Sequence, residues 1–202
     1  MQTLPKQANR VFKGIIFDIY QWPQKMFDGS VATFEKAIRQ NTVVVIPTVG
    51  EKIIMVKQKQ PGINWFFDLP SGRMDKPGES PKNAALRELK EETGLVPRTM
   101  KLWKIYHPSG KVMQQVYFFI AGDCKKVAKQ MLDPGEKIIP FEVSFEQFLK
   151  YTDKHNCFFG PLILDVLLAR IHKPNKNYLK NAVFGKWKKP PQMPAYGPRT
   201  NW

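Results

Sequence analysis

The segment GESPKNAALRELKEETGL, residues 78–95, decides the fold of this chain of 202 residues. Ser80 is a favoured N-cap residue, and Pro81 after it suits the first position of a helix. Gly94 suits the left-handed residue that commonly follows a helix. The segment therefore predicts a helix from Pro81 to about Thr93.

Three acidic residues of this helix need a physical explanation. Glu88, Glu91 and Glu92 lie three and four positions apart, so they share one face, where like charges repel by roughly 0.2–0.5 kcal/mol per pair. The chain as a whole carries a formal net charge of +15. A solvated acidic surface is the alternative for any such cluster, but Arg87 precedes this one directly and a loop rich in glycine and proline leads into it. Clustered carboxylates are the hard oxygen ligands that Mg²⁺ and Mn²⁺ prefer.

The spacing of these residues resembles the Nudix box, G-x5-E-x7-R-E-U-x-E-E-x-G-U, where U is a bulky aliphatic residue. The residues that match the box are Glu79, Arg87, Glu88, Leu89, Glu91, Glu92, Gly94 and Leu95. The opening glycine, Gly72, precedes Glu79 by one residue more than the pattern has. This indicates a one-residue insertion in the loop, around Lys76-Pro77.

The resemblance implies an enzyme that hydrolyses a nucleoside diphosphate linked to another group, with Mg²⁺ as the cofactor and Mn²⁺ as a substitute. It implies that Glu88 and Glu92 are direct metal ligands and that Glu91 acts in catalysis as a ligand, directly or through water. It further implies that Arg87 orients Glu88 and pairs with Glu79. The residues with supporting roles are then Glu79, Gly72 and Gly94.

The surrounding chain is similar to the ADP-ribose pyrophosphatase branch of this family. A Leu-Pro-small-Gly step introduces the box, and the resemblance implies that the carbonyl of Ser71 is a metal ligand. The branch also has a glutamate that acts as a base or orients water in a loop before the last core strand. The matching stretch is LDPGEKIIPFEVSFEQF, residues 132–148, which favours Glu136 over Glu142 and Glu146. An ordinary turn glutamate is the alternative.

Substrate contacts can be predicted only by residue type and position. Arg73, beside Gly72, and Arg39 are candidates for contacts with phosphate or ribose. Adenine usually needs an aromatic or aliphatic platform. The candidates for this platform are Trp22, Phe27 and Trp65, for which a place in the core is the alternative.

The rest of the chain predicts an α/β (α+β) fold in which a mixed β-sheet lies between helices. Strands are predicted at 11–20, 31–36, 65–69, 101–107, 112–121 and 137–143, with a hairpin around the turn at 49–51. Two helices are expected near the C-terminal side, at about 144–151 and 161–172. The predicted organisation is an N-terminal strand region, 1–40, a Nudix core, 41–172, and a basic tail, 173–202.

The tail is predicted to be extended because its prolines disfavour long helices. The aromatic residues that could anchor it are Tyr178, Phe184, Trp187, Tyr196 and Trp202. Lysines interleaved with aromatic residues also suit single-stranded nucleic acid. Two alternatives to ADP-ribose hydrolysis therefore stay open: action on RNA 5′ ends, and a non-catalytic domain that binds nucleotide or RNA.

Composition narrows the expected location and partners. No apolar run approaches the ~20 residues of a membrane span, so no membrane partner is expected. The N-terminal stretch lacks the features of a secretory signal. The two cysteines, Cys124 and Cys157, favour reduced thiols in a cytoplasmic protein. The family resemblance also implies a homodimer that exchanges N-terminal strands and a small nucleotide substrate.

Overall fold

The protein is described by a computed structural model that covers residues 3–108 and 110–192. The helices are α1 (Pro81–Thr93), α2 (Phe145–Lys150), α3 (Ile163–Ile171) and α4 (Lys173–Phe184). The strands are β1 (Asn9–Lys13), β2 (Phe17–Lys25), β3 (Val31–Arg39), β4 (Thr42–Val49), β5 (Lys52–Gln60), β6 (Ile63–Asp68), β7 (Ser71–Arg73), β8 (Leu95–Val96), β9 (Thr99–Tyr106), β10 (Val112–Met113), β11 (Val116–Gly122), β12 (Lys125–Lys126) and β13 (Lys137–Ser144).

A seven-stranded mixed sheet forms the centre of the molecule. Its order is β13-β5-β4-β11-β9, with β6 beside β5 and β7 beside β4. β4 and β11 are parallel, whereas the other pairs are antiparallel. Because β4 lies between β11 and β7, it positions the short strand that leads into the box helix.

Helices cover both faces of the main sheet, which confirms the predicted fold class. Val43 and Val45 of β4 are fully buried in a cluster that also contains Ala85 and Leu89 of α1. Ile46, on the opposite face of β4, is buried in a second cluster with residues of α2, α3 and α4. Alternate strand residues point to opposite faces, so one strand serves both cores.

Helix α1 begins and ends where the sequence predicts. The Ser80 side chain accepts a hydrogen bond from Asn83 N at 3.2 Å, and Pro81 occupies the first turn. Gly94 ends the helix with φ of 72°. A Cβ at Gly94 would also lie 2.1 Å from the carbonyl oxygen of Ala128, so this position needs glycine for two reasons.

The prediction of an extended tail is wrong for residues 173–184, which form α4. Pro174 lies in the first turn of the helix, where the missing N–H costs little. The next proline is Pro190, so the helix interior is free of proline. Leu179 and Ala182 are fully buried against the core, and this burial stabilises the helix.

The aromatic side chains of this C-terminal part pack on the body. Tyr178, Phe184 and Trp187 are partly buried against the larger core cluster. The indole N–H of Trp187 donates to the Ala182 carbonyl at 3.0 Å. The other two predicted anchors, Tyr196 and Trp202, lie outside the described residues, as does Ser109 in the predicted turn.

The N-terminal residues form a second sheet of four strands, in the order β1-β2-β3-β10. The single strand predicted over 11–20 is wrong, because the chain turns between β1 and β2. Gly14 N donates to Phe17 O at 2.9 Å, and a Cβ at Gly14 would lie 2.6 Å from that oxygen. β10 follows β9 of the main sheet in the chain and pairs in parallel with β3, so it connects the two sheets.

None of the helices in the described part of the chain combines the length and apolar character needed to cross a bilayer.

Candidate active site

Arg87 is the centre of a cluster of ion pairs on α1. Its guanidinium donates to Glu79 at 2.9 Å, to Glu88 at 2.6 Å and to Glu91 at 3.1 Å. It also donates to the carbonyl of Arg73 at 3.1 Å. These contacts raise the pKa of Arg87, with the hydrogen bonds that it donates to Glu79 as the largest cause. One arginine therefore fixes the box helix and the loop before it relative to each other.

Glu92 is buried and Glu88 is partly buried on the side of the helix that faces β7. Glu92 is only 3% exposed, and its carboxylate accepts a hydrogen bond from Ser71 N at 3.1 Å. The carboxylate of Glu88 lies directly against Gly72, where an added Cβ would be 2.1 Å from the carboxyl carbon. The residue types at 71 and 72 thus leave room for both carboxylates.

Burial changes the proton affinity of both carboxyls. Burial raises the pKa of Glu88 to about 7, although the charge of Arg87 opposes this shift. Burial also raises the pKa of Glu92 well above its usual range, and the charge of Glu88 adds to the effect. The two raised pKa values mean that other groups of the protein compensate the negative charge of ionised Glu88 and Glu92 only in part.

The site fits a hard divalent cation by the chemistry of its donors. The carboxylates of Glu88, Glu91 and Glu92 share one face of α1, and the backbone of Ser71 lies beside Glu92. Within residues 3–108 and 110–192, no three Asp, Glu, His or Cys side chains are arranged to hold a metal on their own. Mg²⁺ usually keeps several waters and takes further ligands from substrate phosphates, so an incomplete protein site suits it.

The inserted residue before the box does not displace these groups. The chain turns at 76–79, where Glu79 N donates to Lys76 O at 3.1 Å and Gly78 has φ of 72°. Glu79 still reaches Arg87, and Gly72 still lies against Glu88. The extra residue is therefore accommodated in the exposed part of the loop.

Glu136 lies directly before β13, close to the acidic cluster. It is partly buried, and burial raises its pKa, with smaller contributions from the charges of Asp133 and Glu91. Its own charge in turn contributes to the raised pKa of Glu92. The other two glutamates of this stretch lie elsewhere: Glu142 is exposed beside Lys126, and Glu146 pairs with Lys176 at 2.8 Å.

A cavity of about 570 Å³ lies next to the box loop, between the main sheet and the N-terminal sheet. It contains no residue of the acidic cluster, but Asn41 in its wall accepts a hydrogen bond from Met74 N at 2.9 Å. Thr42, which follows Asn41, pairs with Arg73 in β7. The cavity and the cluster are thus neighbours along one end of β4.

Arg39 lines this cavity. Its guanidinium lies 5.7 Å from the centroid of the Phe17 ring, and its Nε is buried without a hydrogen-bond partner. Within the described residues it forms no ion pair. A buried cationic donor without an acceptor is costly, which makes it a suitable contact for a ligand.

The other predicted substrate residues lie apart from the cavity. Arg73 is exposed, and its carbonyl accepts from Arg87. Trp22 is buried against Phe34, with ring centroids 5.9 Å apart, and Phe27 is fully exposed at the turn between β2 and β3. Trp65 lies under Lys57, whose Nζ is 5.1 Å from the ring centroid. None of these four lines the cavity within a single chain.

Sequence reasoning missed two polar residues near the cluster. Asp68, at the end of β6, accepts from Leu69 N at 2.8 Å, and burial raises its pKa to about 8. Its signal in the sequence is an acid directly before the Leu-Pro-small-Gly step. Gln130 donates to the carbonyl of Glu92, and no sequence pattern marks it.

Known proteins resemble this chain in sequence and in structure. Residues 38–158 match the NUDIX domain family. The chain is 30% identical to the ADP-ribose pyrophosphatase of Bacillus subtilis over 161 residues, which are 78% of this chain and 85% of that protein. It is 26% identical to the methanol dehydrogenase activator of Bacillus methanolicus over 176 residues, which are 85% of this chain and 94% of that protein.

The fold has a solved counterpart. A crystal structure described as an ADP compounds hydrolase superposes with a TM-score of 0.68 at 18% identity, covering 84% of this chain and 95% of that one. The NUDIX match over residues 38–158, together with the 30% identity to the Bacillus subtilis protein, shows that the chain belongs to the Nudix family. It is a Nudix pyrophosphohydrolase with relatives among the ADP-ribose pyrophosphatases.

Proposed function

We propose that this enzyme hydrolyses the pyrophosphate bond of ADP-ribose in the presence of Mg²⁺ and releases AMP and ribose 5-phosphate. The observation that carries the proposal is the position of the buried Glu92 and partly buried Glu88 carboxylates against Ser71 and Gly72 of β7, beside a cavity lined by Arg39, whose Nε has no partner. The similarity to an ADP-ribose pyrophosphatase over most of the chain favours this substrate over other nucleoside diphosphate derivatives.

Each residue of the cluster has a distinct proposed role. Glu88, Glu92 and the Ser71 carbonyl would hold Mg²⁺, which when bound polarises the pyrophosphate and makes a coordinated water more acidic. Glu91, the outermost of the three acids, would contribute through water. Arg87 keeps Glu88 oriented by the 2.6 Å contact between them. A misplaced carboxylate would lose much of this electrostatic stabilisation.

Glu136 is the proposed base or water-orienting group. It directly precedes β13, it is partly buried, and its charge interacts with those of Glu91 and Glu92. Its carboxylate therefore approaches the cluster from an element other than α1, as a group that acts on the attacking water would. Glu88, Glu91 and Glu92 all lie on α1 and would hold the phosphates from the other side through Mg²⁺.

The cavity beside the box loop is the proposed place for the part of the substrate that does not react. Its wall is largely apolar, as is usual for nucleoside sites, with a few polar groups from Asn41, His107 and Gln114. Arg39 offers its unpaired Nε to an oxygen of the substrate. Arg73, between the cavity and the cluster, is proposed to contact a phosphate.

We also propose a homodimer that forms through the N-terminal sheet. Large apolar side chains are exposed there: Phe12 is 59% exposed, Ile15 is 93% exposed and Phe27 is fully exposed. Exposed apolar side chains at both ends of β2 favour a surface that binds a protein partner. In such a dimer, Phe27, which does not reach the cavity of its own chain, would contact the second copy. Light scattering coupled to size exclusion measures the mass, and Ile15→Lys should shift it towards that of one chain.

A reducing compartment such as the cytoplasm suits the two cysteines, which are both free thiols.

A substrate panel tests the proposed activity. ADP-ribose, NADH, diadenosine polyphosphates, nucleotide sugars and triphosphorylated RNA are incubated with the enzyme and Mg²⁺ or Mn²⁺, and the products are separated by chromatography. We expect AMP from ADP-ribose, with Glu92→Gln as the inactive control. If the enzyme hydrolyses the RNA and leaves ADP-ribose intact, the result would instead support an enzyme that acts on RNA 5′ ends. If it hydrolyses none of these substrates, the result would support a non-catalytic binding domain.

A further inference from the structure

The loop from Val127 to Gly135 lies over the C-terminal end of the box helix and carries the chain into Glu136. Three backbone hydrogen bonds attach its first part to the helix end: Val127 N and Ala128 N donate to Gly94 O at 3.0 and 3.3 Å, and Met131 N donates to Glu91 O at 2.9 Å. The loop therefore connects the C-terminal end of α1 to the proposed base, which directly precedes β13.

The side chain of Gln130 contacts both elements that this loop connects, α1 and β13. Its amide nitrogen donates to the carbonyl oxygen of Glu92 at 2.5 Å and to the carbonyl oxygen of Ile138 at 3.0 Å. Glu92 is the proposed metal ligand on α1, and Ile138 is two residues after Glu136 on β13. Both N–H groups of the amide are thus used, and each is given to a different element of the site.

We infer that Gln130 is a positioning residue that fixes the separation between Glu92 and Glu136. The inference rests on the proposed function, because it assigns a geometric role with respect to the reaction proposed above. β13 has its hydrogen-bonded partner, β5, on one side only, and the described part of the chain gives it no strand neighbour on the other. The Gln130 side chain is therefore a direct link between this strand and the box helix.

The chemistry of the amide explains why a glutamine suits this place. The carbonyl oxygens of Glu92 and Ile138 both accept from one side chain, so that side chain must carry two N–H donors. Methionine has a similar length but no donor, and glutamate would place its oxygens against both carbonyls. Either change removes the link, whereas the backbone anchors at Gly94 and Glu91 would still hold the loop near the helix.

Steady-state kinetics of Gln130→Met, with Gln130→Ala as a second variant, tests the inference. Residues that orient a group of the site typically matter by roughly 10- to 100-fold. We expect kcat for ADP-ribose to fall by about 10-fold or more, with KM changed less than about twofold, because phosphate and nucleoside contacts are untouched. Gln147→Ala, which removes a glutamine hydrogen bond from the cap of α2, is the matched control and should leave kcat unchanged.

A double-mutant cycle shows whether Gln130 acts through Glu136. In a Glu136→Gln background, Gln130→Met should lower kcat by less than about twofold, because the group it positions is already lost. An equal loss in both backgrounds, or a rise in KM without a fall in kcat, would overturn the inference. A failure of the proposed function looks different: the unaltered enzyme would not hydrolyse ADP-ribose, or Glu136→Gln would be fully active.

Discussion

Gly72→Ala tests the position of Glu88 with the smallest possible change. The added Cβ would lie 2.1 Å from the carboxyl carbon of Glu88 and 2.2 and 2.4 Å from its oxygens. Ordinary van der Waals contact begins near 3.4 Å, so the carboxylate must retreat by more than about 1 Å. The substitution therefore displaces a proposed metal ligand without changing any ionisable group.

The expected effects differ for activity and stability. A misplacement of about 1 Å in a catalytic group can cost roughly 10²-fold in rate, so we expect kcat to fall by about that factor. The obstructed atoms are the end of a flexible side chain, so destabilisation should lie near the lower part of the overpacking range, at about 1–2 kcal/mol. For a chain of this size that corresponds to a fall in Tm of roughly 2–8 °C.

The assay combines kinetics with thermal unfolding in two backgrounds. In Glu88→Ala the obstructing carboxylate is absent, so adding Gly72→Ala should change Tm by little more than the error of the measurement. A Gly72→Ala enzyme with normal kcat would refute the argument that Glu88 must occupy its place against Gly72. Equal destabilisation in both backgrounds would show that Cβ obstructs some group other than Glu88.

Three further predictions follow from burial. Glu92→Gln should lower kcat by at least about 10²-fold and abolish most of the rise in Tm that Mg²⁺ or Mn²⁺ gives the unaltered enzyme. Without metal it should raise Tm, because an uncompensated buried charge is removed. A variant that kept its metal-dependent rise in Tm would contradict the assignment of Glu92 as a metal ligand. Leu179→Ala should lower the free energy of unfolding in urea by about 2–5 kcal/mol, whereas the exposed Lys180→Ala should change it by less than about 0.5 kcal/mol. Burial raises the pKa of Cys124 to about 11 and that of Cys157 to about 12. Thiolate is therefore scarce at pH 8, and a disulfide reagent should react only after a denaturant is added. Rapid reaction of the native protein would show that a thiol is accessible.

Local signals were sufficient for the box helix because its ends and its charge pattern are encoded within one stretch. Ser80 and Gly94 fix the ends through contacts with nearby backbone, and Arg87 meets Glu79 and Glu88 at spacings that the sequence displays. The two β-branched runs around the turn at 49–51 likewise marked the hairpin of β4 and β5. These elements depend on interactions that are close in sequence.

Elements that depend on distant contacts were the ones missed. α4 has a weak helical pattern, and its stability comes from burial of Leu179 and Ala182 against strands far away in the chain. Gln130 is an ordinary loop residue until the fold brings Glu92 and Ile138 to it. Tertiary packing decides both cases. The turn at Gly14 was missed although its contact is local: Gly14 N donates to Phe17 O, three residues on, and composition does not mark such a turn.

The parallel pairing of β4 with β11 has a consequence for how the protein is made. Thr48 and Ala121, which share a hydrogen bond at the end of this pair, are 73 residues apart in the chain. At translation rates of about 5–20 residues per second, β11 is synthesised roughly 4–15 s after β4. The larger core cluster also needs Leu179 and Val183, which are synthesised later still. The acidic helix α1 is thus synthesised well before the core that supports it can form. During that interval the apolar strand β4 lacks its neighbour β11. Slower elongation lengthens this exposure, so yield of folded enzyme should depend on chaperones that bind extended apolar segments more than on the box sequence itself.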